Sequence, residues 1–141
     1  MERKWINPPL VNPSLGIHII RVTLAILVGI HGMHGLLHPP SIEGFGQYLA
    51  SLGFPQGTAL AWIICIFQVG AGVLLIVNRL VIIACILDIL ILATGIYLIH
   101  MHEGWFVVGP GKDGVEYSLT LIAGLVAVLL AYWPRKNAIQ R

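Results

Sequence analysis

Charged side chains are scarce in this sequence of 141 residues, of which 10% are charged and 57% are hydrophobic. A soluble domain usually carries about 25% charged residues. Since the deficit extends along the whole chain, it indicates that lipid rather than water surrounds most of the protein. The net charge of +2 is too small to indicate nucleic-acid binding, so we expect the lipid bilayer, and no nucleic acid, as a partner.

The sequence also lacks the alternation of polar and apolar residues that is typical of membrane barrel strands. Instead, it contains four continuous apolar runs, at roughly residues 15–37, 57–77, 80–99 and 117–133. Each is close to the ~20 residues that a helix needs to cross the hydrocarbon core. Because only helices and closed barrels can span lipid, we predict an all-α membrane protein, an antiparallel bundle of four transmembrane helices.

The segments outside these runs predict the rest of the topology. Residues 41–55, between helices 1 and 2, are too short and too polar to span, and their aromatic residues suit a short interfacial helix. Residues 1–14 and 134–141 are predicted to be tails. Six cations lie in the tails and the second connection, whereas Lys112 alone lies in the other connections. This bias predicts a multi-pass protein of the cell inner (cytoplasmic) membrane with both termini cytoplasmic, and an uncleaved first helix.

Several kinds of functional motif are missing. The two cysteines, Cys65 and Cys85, lie at different depths within predicted spans, so we interpret them as packing residues rather than a disulfide pair. The sequence shows no catalytic nucleophile, phosphate loop or nucleotide-binding motif, so catalysis by this chain alone is not expected. It also lacks inverted repeats and proline-broken spans, which disfavours a small proton-coupled transporter.

Three polar side chains lie inside the predicted spans at similar depths. Arg21, Gln68 and Asp88 are about 9, 14 and 12 Å from the cytoplasmic ends of their helices. Ionisable groups in a span are costly, and are therefore usually paired or functional. We predict an ion pair between Arg21 and Asp88, with Gln68 hydrogen-bonded beside it. Such a cluster is either a structural pin between helices or part of a proton path or quinone headgroup site.

Histidines are concentrated in the stretch HGMHGLLHPP, residues 31–40, where two prolines end the first apolar run. His31, His34 and His38 fall within an arc of about 60° on a helix, on the same membrane side as the last external loop. The resulting candidate site for a quinone, a proton or another ligand comprises His31, His34, His38, His102, Glu103 and Glu116. The metal-ligand candidates among them are His34, His38, His102 and Glu116.

The chemistry of this outer cluster stays open at this point. Imidazole and carboxylate groups together suit a proton relay or quinone site near neutral pH. They also suit a bound metal, and imidazole suits haem, but the spacing matches no compact metal-binding motif. Histidines at a membrane surface can also simply face water. A quinone is therefore the first cofactor candidate, followed by a metal or haem.

Several stretches resemble the DoxX family of small four-helix bacterial and archaeal membrane proteins. These are Arg21 with Gly29 and His31-Gly32, Phe45 with residues 52–55, QVGAGVLLIVNR (68–79) and HEGWFVVGPGKDGVEYSLTLIAGLVAVLL (102–130). The resemblance covers about residues 15–133. The chain departs from the family at Gln68, where many members carry glutamate.

The resemblance implies a function that the residues alone do not. The family takes its name from a quinone-linked thiosulfate oxidation system, and other DoxX-like proteins are membrane partners of redox-defence enzymes. We therefore expect an accessory subunit of a membrane oxidoreductase or respiratory-type complex, near a quinone, with other membrane or redox subunits as partners. The alternatives are a structural or anchoring subunit without a cofactor and a small proton-coupled transporter.

Overall fold

The computed structural model describes residues 13–108 and 113–134, which are almost entirely helical. The α-helices are α1 (Pro13–Leu37), α2 (Pro39–Ser51), α3 (Gly57–Ile76), α4 (Val81–Gly95), α5 (Met101–Glu103) and α6 (Val115–Tyr132). A π-helical turn, Ile96–His100, joins α4 to α5 without a break. Most of the two predicted tails lies outside the described residues.

Four helices are long and apolar enough to cross a membrane. They cover Ser14–Leu37, Gly57–Ile76, Val81–Glu103 and Val115–Tyr132. Many large apolar side chains on them remain exposed, such as Ile30, Val73 and Leu130, which is the pattern expected of a lipid-facing surface. The predicted all-α membrane protein with four spanning helices is therefore confirmed.

Two helix boundaries differ from the sequence-based prediction for physical reasons. The third span continues through the π-helical turn to Glu103, past the predicted end at residue 99, and stops where Gly104 adopts a φ of 93°. The two prolines do end α1 at Leu37, but they also begin α2 directly. Proline suits the first turn of a helix because the N–H that it lacks has no intrahelical partner there.

The helices are arranged so that α1 and α4 lie diagonally opposite each other. Both pack against α3 and α6, while α2 lies against α3. The α3–α4 turn, with the start of α1 and the end of α6, forms one end of the bundle, which we call the turn end. The opposite end, with α2, α5 and the loop before α6, is called the cavity end.

Two apolar clusters hold the bundle together. The larger one joins α1, α3, α4 and α6 and includes Leu75, Cys85 and Leu125, each with no exposed surface. The smaller one joins α2 to α3 through Ile42, Leu49, Ala61 and Cys65. The segment between helices 1 and 2 is thus a helix, as predicted, and one face of it is buried against α3.

Candidate functional site

A cavity of about 590 Å³ occupies the cavity end of the bundle. It lies between the end of α1, α2, the first half of α3, and the continuous helix formed by α4 and the π-helical turn. Its apolar wall is made of Ile42, Phe45, Leu49, Phe54, Leu60, Ile64, Leu90, Ile91, Leu92, Leu98 and Ile99. Its size is within the range of about 300–1,000 Å³ that is typical of small-molecule sites.

Three histidines and an amide supply hydrogen-bonding groups to this apolar cavity. His31 and His34 line it from α1, His100 from the π-helical turn and Gln68 from α3. The Nδ1–H of His100 donates to the backbone carbonyl of Asp113 at 2.5 Å. In the neutral ring this leaves Nε2 as an acceptor. The cavity therefore combines a large apolar surface with a few groups that could orient a ligand.

The π-helical turn is tied to α2 across the cavity end. The hydroxyl of Tyr48 donates to the carbonyl of Leu98 at 3.0 Å, and Leu98 itself lines the cavity. Single π-helical turns are rare and occur frequently at functional sites. This turn carries Leu98, Ile99 and His100, and so it forms part of the cavity wall.

The predicted cluster of outer histidines and carboxylates is divided by the structure. His31 and His34 line the cavity, whereas the ring of His38 stacks on His34 with centroids 4.3 Å apart. The Nδ1–H of His38 donates to the His34 carbonyl at 2.8 Å. His102 and Glu103 are exposed on α5 and do not line the cavity.

The four metal-ligand candidates are not brought together. Among the described residues, no group of three or more His, Cys, Asp or Glu side chains is placed to hold a metal ion. His34, His38, His102 and Glu116 therefore do not form a ligand set in this structure. Glu116 instead accepts a hydrogen bond from the backbone N–H of Val107 at 2.8 Å.

This contact of Glu116 belongs to a set of hydrogen bonds, here called the clasp, between residues 104–107 and the start of α6. Backbone N–H groups of residues 114, 115 and 116 donate to the carbonyls of Phe106, Gly104 and Trp105 at 3.1–3.2 Å. A Cβ atom at Gly114 would lie 2.5 Å from the carbonyl oxygens of Trp105 and Phe106, so this approach requires glycine. The clasp fixes the beginning of α6, where Ser118 reaches the cavity.

Replacing Glu116 by alanine is expected to loosen this clasp. The half-buried N–H of Val107 would lose its partner, which costs about 1–3 kcal/mol. Amide hydrogen exchange at residues 104–108 should then be about tenfold faster, corresponding to ~1.4 kcal/mol. The matched control is Glu103→Ala, which removes an exposed carboxylate nearby. Equal exchange in the two variants would contradict this role of Glu116.

The predicted ion pair between Arg21 and Asp88 is wrong. The Nη1 group of Arg21 donates to the carbonyls of Leu75 and Ile76, the latter at 3.3 Å. These carbonyls lie in the last turn of α3, where no intrahelical donors remain, and a cation there is favoured by the helix dipole. Because α1 packs against α3 and lies diagonally opposite α4, the guanidinium of Arg21 donates hydrogen bonds to α3 rather than to Asp88.

Asp88 and Gln68 accordingly have other surroundings. Asp88 is 1% exposed, and neither of its carboxylate oxygens has a hydrogen-bond partner among the described residues. Gln68 is 5% exposed and lines the cavity instead of joining an Arg21–Asp88 pair. The three polar residues are all buried, as their depth suggested, but they do not form a single hydrogen-bonded cluster.

The sequence-based prediction missed His100 and the contribution of α2 to the site. The sequence contains part of this face, because Ile91, Thr94 and Gly95 on α4 follow a helical period. That period cannot be extended through a π-helical turn, so the face of His100 was not predictable. The role of α2 depends on its packing against α3, which no local pattern contains.

A small apolar groove adjoins the cavity on the membrane-facing side of α3 and α4. It has a volume of about 200 Å³ and is lined by Ile63, Ile64, Phe67, Leu87, Leu90 and Ile91. Three of these residues, Ile64, Leu90 and Ile91, also line the cavity. The groove therefore shares part of its wall with the cavity and lies beside it between the two helices.

Comparison with known proteins decides the family. The family model described as DoxX matches residues 16–101, more than half of the chain. The chain belongs to the DoxX family. Within this DoxX protein the match includes α1 to α4 and most of the cavity lining, while the last loop and α6, which the resemblance also included, lie beyond it. No curated protein and no solved structure matches the chain.

Proposed function

We propose that this DoxX-family protein is an accessory subunit of a membrane oxidoreductase complex, and that its cavity binds a quinone-type ligand. The observation that carries the proposal is the cavity itself, with apolar walls and hydrogen-bonding groups from His31, His34, His100 and Gln68. When bound, a quinone would supply reversible electron and proton uptake in the membrane.

The shape of the cavity suits the two chemically different parts of such a ligand. A quinone headgroup is flat and mostly apolar, with carbonyl oxygens that need hydrogen-bond donors. Imidazole N–H groups of His31 and His34 and the amide N–H of Gln68 are available as donors. The adjoining groove between α3 and α4 suits an apolar tail, because all of its lining side chains are hydrocarbon or aromatic.

The remaining parts of the proposal concern partners and orientation. The sequence contains no nucleotide-binding motif, so we place the electron donor on a separate membrane or redox subunit. The distribution of cations supports cytoplasmic termini in a cell inner membrane. In that orientation the turn end faces the cytoplasm and the cavity lies in the outer half of the membrane.

Filling the cavity with a leucine side chain is expected to weaken quinone binding. Gly95 lines the cavity, and a Cβ atom there would have no neighbour within 4 Å, so Gly95→Leu should fold while occupying ligand space. The matched control is Gly70→Leu, also in a span and also without a neighbour within 4 Å. We expect about tenfold weaker binding in Gly95→Leu, which is ~1.4 kcal/mol.

The measurement combines co-purification with titration. The protein is purified from membranes in mild detergent, and extracted quinone and co-purifying subunits are quantified by mass spectrometry. A benzoquinone with a decyl chain is then titrated into the wild type and both variants. If the wild type retains no quinone and does not bind the decyl quinone, the proposal fails and a structural or anchoring subunit remains.

A further inference from the structure

Asp88 is a buried acid that the proposed quinone site does not use. It lies on the inward face of α4 with Val81, Ala84 and Cys85, at i, i+3, i+4 and i+7. It is 1% exposed, and both carboxylate oxygens lack a hydrogen-bond partner among the described residues. An ionised carboxylate in such surroundings is very costly unless it is paired, so the geometry favours a carboxyl that carries a proton.

If Asp88 lost that proton, a nearby cation would be needed to stabilise the carboxylate. Few titratable or charged groups lie near it. On its own helix, Cys85 is one turn away. The helices packed against α4 contribute Cys65 from α3, Glu116 and Tyr117 at the cavity end of α6, and Tyr132 at the turn end of α6. The π-helical turn adds Tyr97 and His100. His100 is the one member of this set that can become a cation, and it lies about 18 Å along the helix from Asp88.

A single cation is buried in the same half of the bundle among the described residues. Arg21 on α1 is 7% exposed, and its Nε–H has no hydrogen-bond partner. Asp88 lies about 10 Å along α4 from Val81, within the half of the bundle that contains the Arg21 guanidinium at the end of α3. The Arg21 guanidinium is, however, hydrogen-bonded to carbonyls of α3, and it is not a hydrogen-bond partner of Asp88.

The cavity approaches Asp88 from the other side. Gln68 lines the cavity from α3, and it lies about 12 Å along α3 from Ile76. This is nearly the depth of Asp88 on the neighbouring, antiparallel helix. Gln68 is therefore a buried polar group of the cavity wall at about the depth of the carboxyl, and Leu92, one turn along α4 from Asp88, also lines the cavity.

We propose that Asp88 is a reversible proton-binding site in the centre of the bundle, which holds one proton at neutral pH and exchanges it with water through the cavity. The step is balanced as a simple acid dissociation: the O–H bond of the carboxyl breaks, the electron pair stays on the carboxylate, and the proton passes to water. This site does not depend on which ligand fills the cavity.

The composition of the chain makes the proposal directly measurable. Asp88 and Asp113 are its two aspartates, and Asp113 is exposed. Infrared spectra of protein in lipid vesicles, with and without carboxyl-¹³C aspartate, therefore report on two groups alone. At neutral pH we expect one ¹³C-sensitive band of a protonated carboxyl. It should shift in D₂O and disappear at high pH.

Two matched variants assign the band. It should be absent in Asp88→Asn and retained in Asp113→Asn. If Asp88→Asn does not fold, retention of the band in Asp113→Asn still assigns it to Asp88. A spectrum with carboxylate bands alone at neutral pH would overturn the proposal. A protonated band that neither shifts in D₂O nor changes with pH would also overturn it. Asp88 would then be protonated but unable to exchange its proton with water.

Discussion

Replacing Gly72 by leucine is expected to separate α1 from α3 and to prevent stable assembly of the bundle. A Cβ atom at Gly72 would lie 2.8 Å from the carbonyl oxygen of Ala25 and 3.1 Å from the Cα atom of Gly29. Both are backbone atoms, so no side chain can rotate away. Membrane helices associate largely through such close packing, since lipid provides no hydrophobic force between them. We expect a loss of about 3 kcal/mol or more.

The same helix offers a control that differs by two positions. At Gly70, a Cβ atom would have no neighbour within 4 Å, so Gly70→Leu adds the same side chain on a side without close contacts. Thermal unfolding in detergent, followed by circular dichroism and by size-exclusion chromatography, should show a lower melting temperature or aggregation for Gly72→Leu alone. Equal melting temperatures for the two variants would show that α1 and α3 do not meet at Gly72.

The membrane spans were predictable because their signal is local and strong. A run of about 20 apolar residues has few structural alternatives in lipid, and the four runs correspond to the four spanning helices. The end of the third span was not predictable, because His100 and His102 interrupt the apolar pattern while the backbone continues as a π-helical turn and α5. In the structure the span stops at Gly104, which adopts a φ of 93°.

The sequence predicted the site residues on α1 better than those on the other elements. His31 and His34 share a helical face, and this local geometry places both in the cavity. His102 and Glu116 were grouped with them by membrane side alone, which does not specify distance. Glu116 instead accepts a hydrogen bond from the backbone N–H of Val107. Which helices become neighbours is a tertiary property, and the diagonal placement of α1 and α4 explains why similar depth did not make Arg21 and Asp88 a pair.

Replacing Arg21 by leucine is expected to destabilise the turn end of the bundle. The carbonyls of Leu75 and Ile76 would lose a charged donor, and hydrogen bonds to charged groups contribute about 1.5–3 kcal/mol each. Arg21→Lys should recover part of this loss, because an ammonium keeps the charge but not the planar arrangement of donors. Denaturant unfolding in detergent measures both variants against the wild type.

Combining Arg21→Leu with Asp88→Asn tests whether Arg21 binds the end of α3, as in the structure, or forms an ion pair with Asp88. Two groups without a shared hydrogen bond should give effects on the free energy of unfolding that add within about 0.5 kcal/mol. A direct ion pair would instead make the double variant clearly more stable than the sum, since the second substitution removes a charge that the first left unpaired. Strong coupling would therefore place Arg21 on Asp88. Additivity would leave Arg21 at the end of α3 and Asp88 as an independent acid.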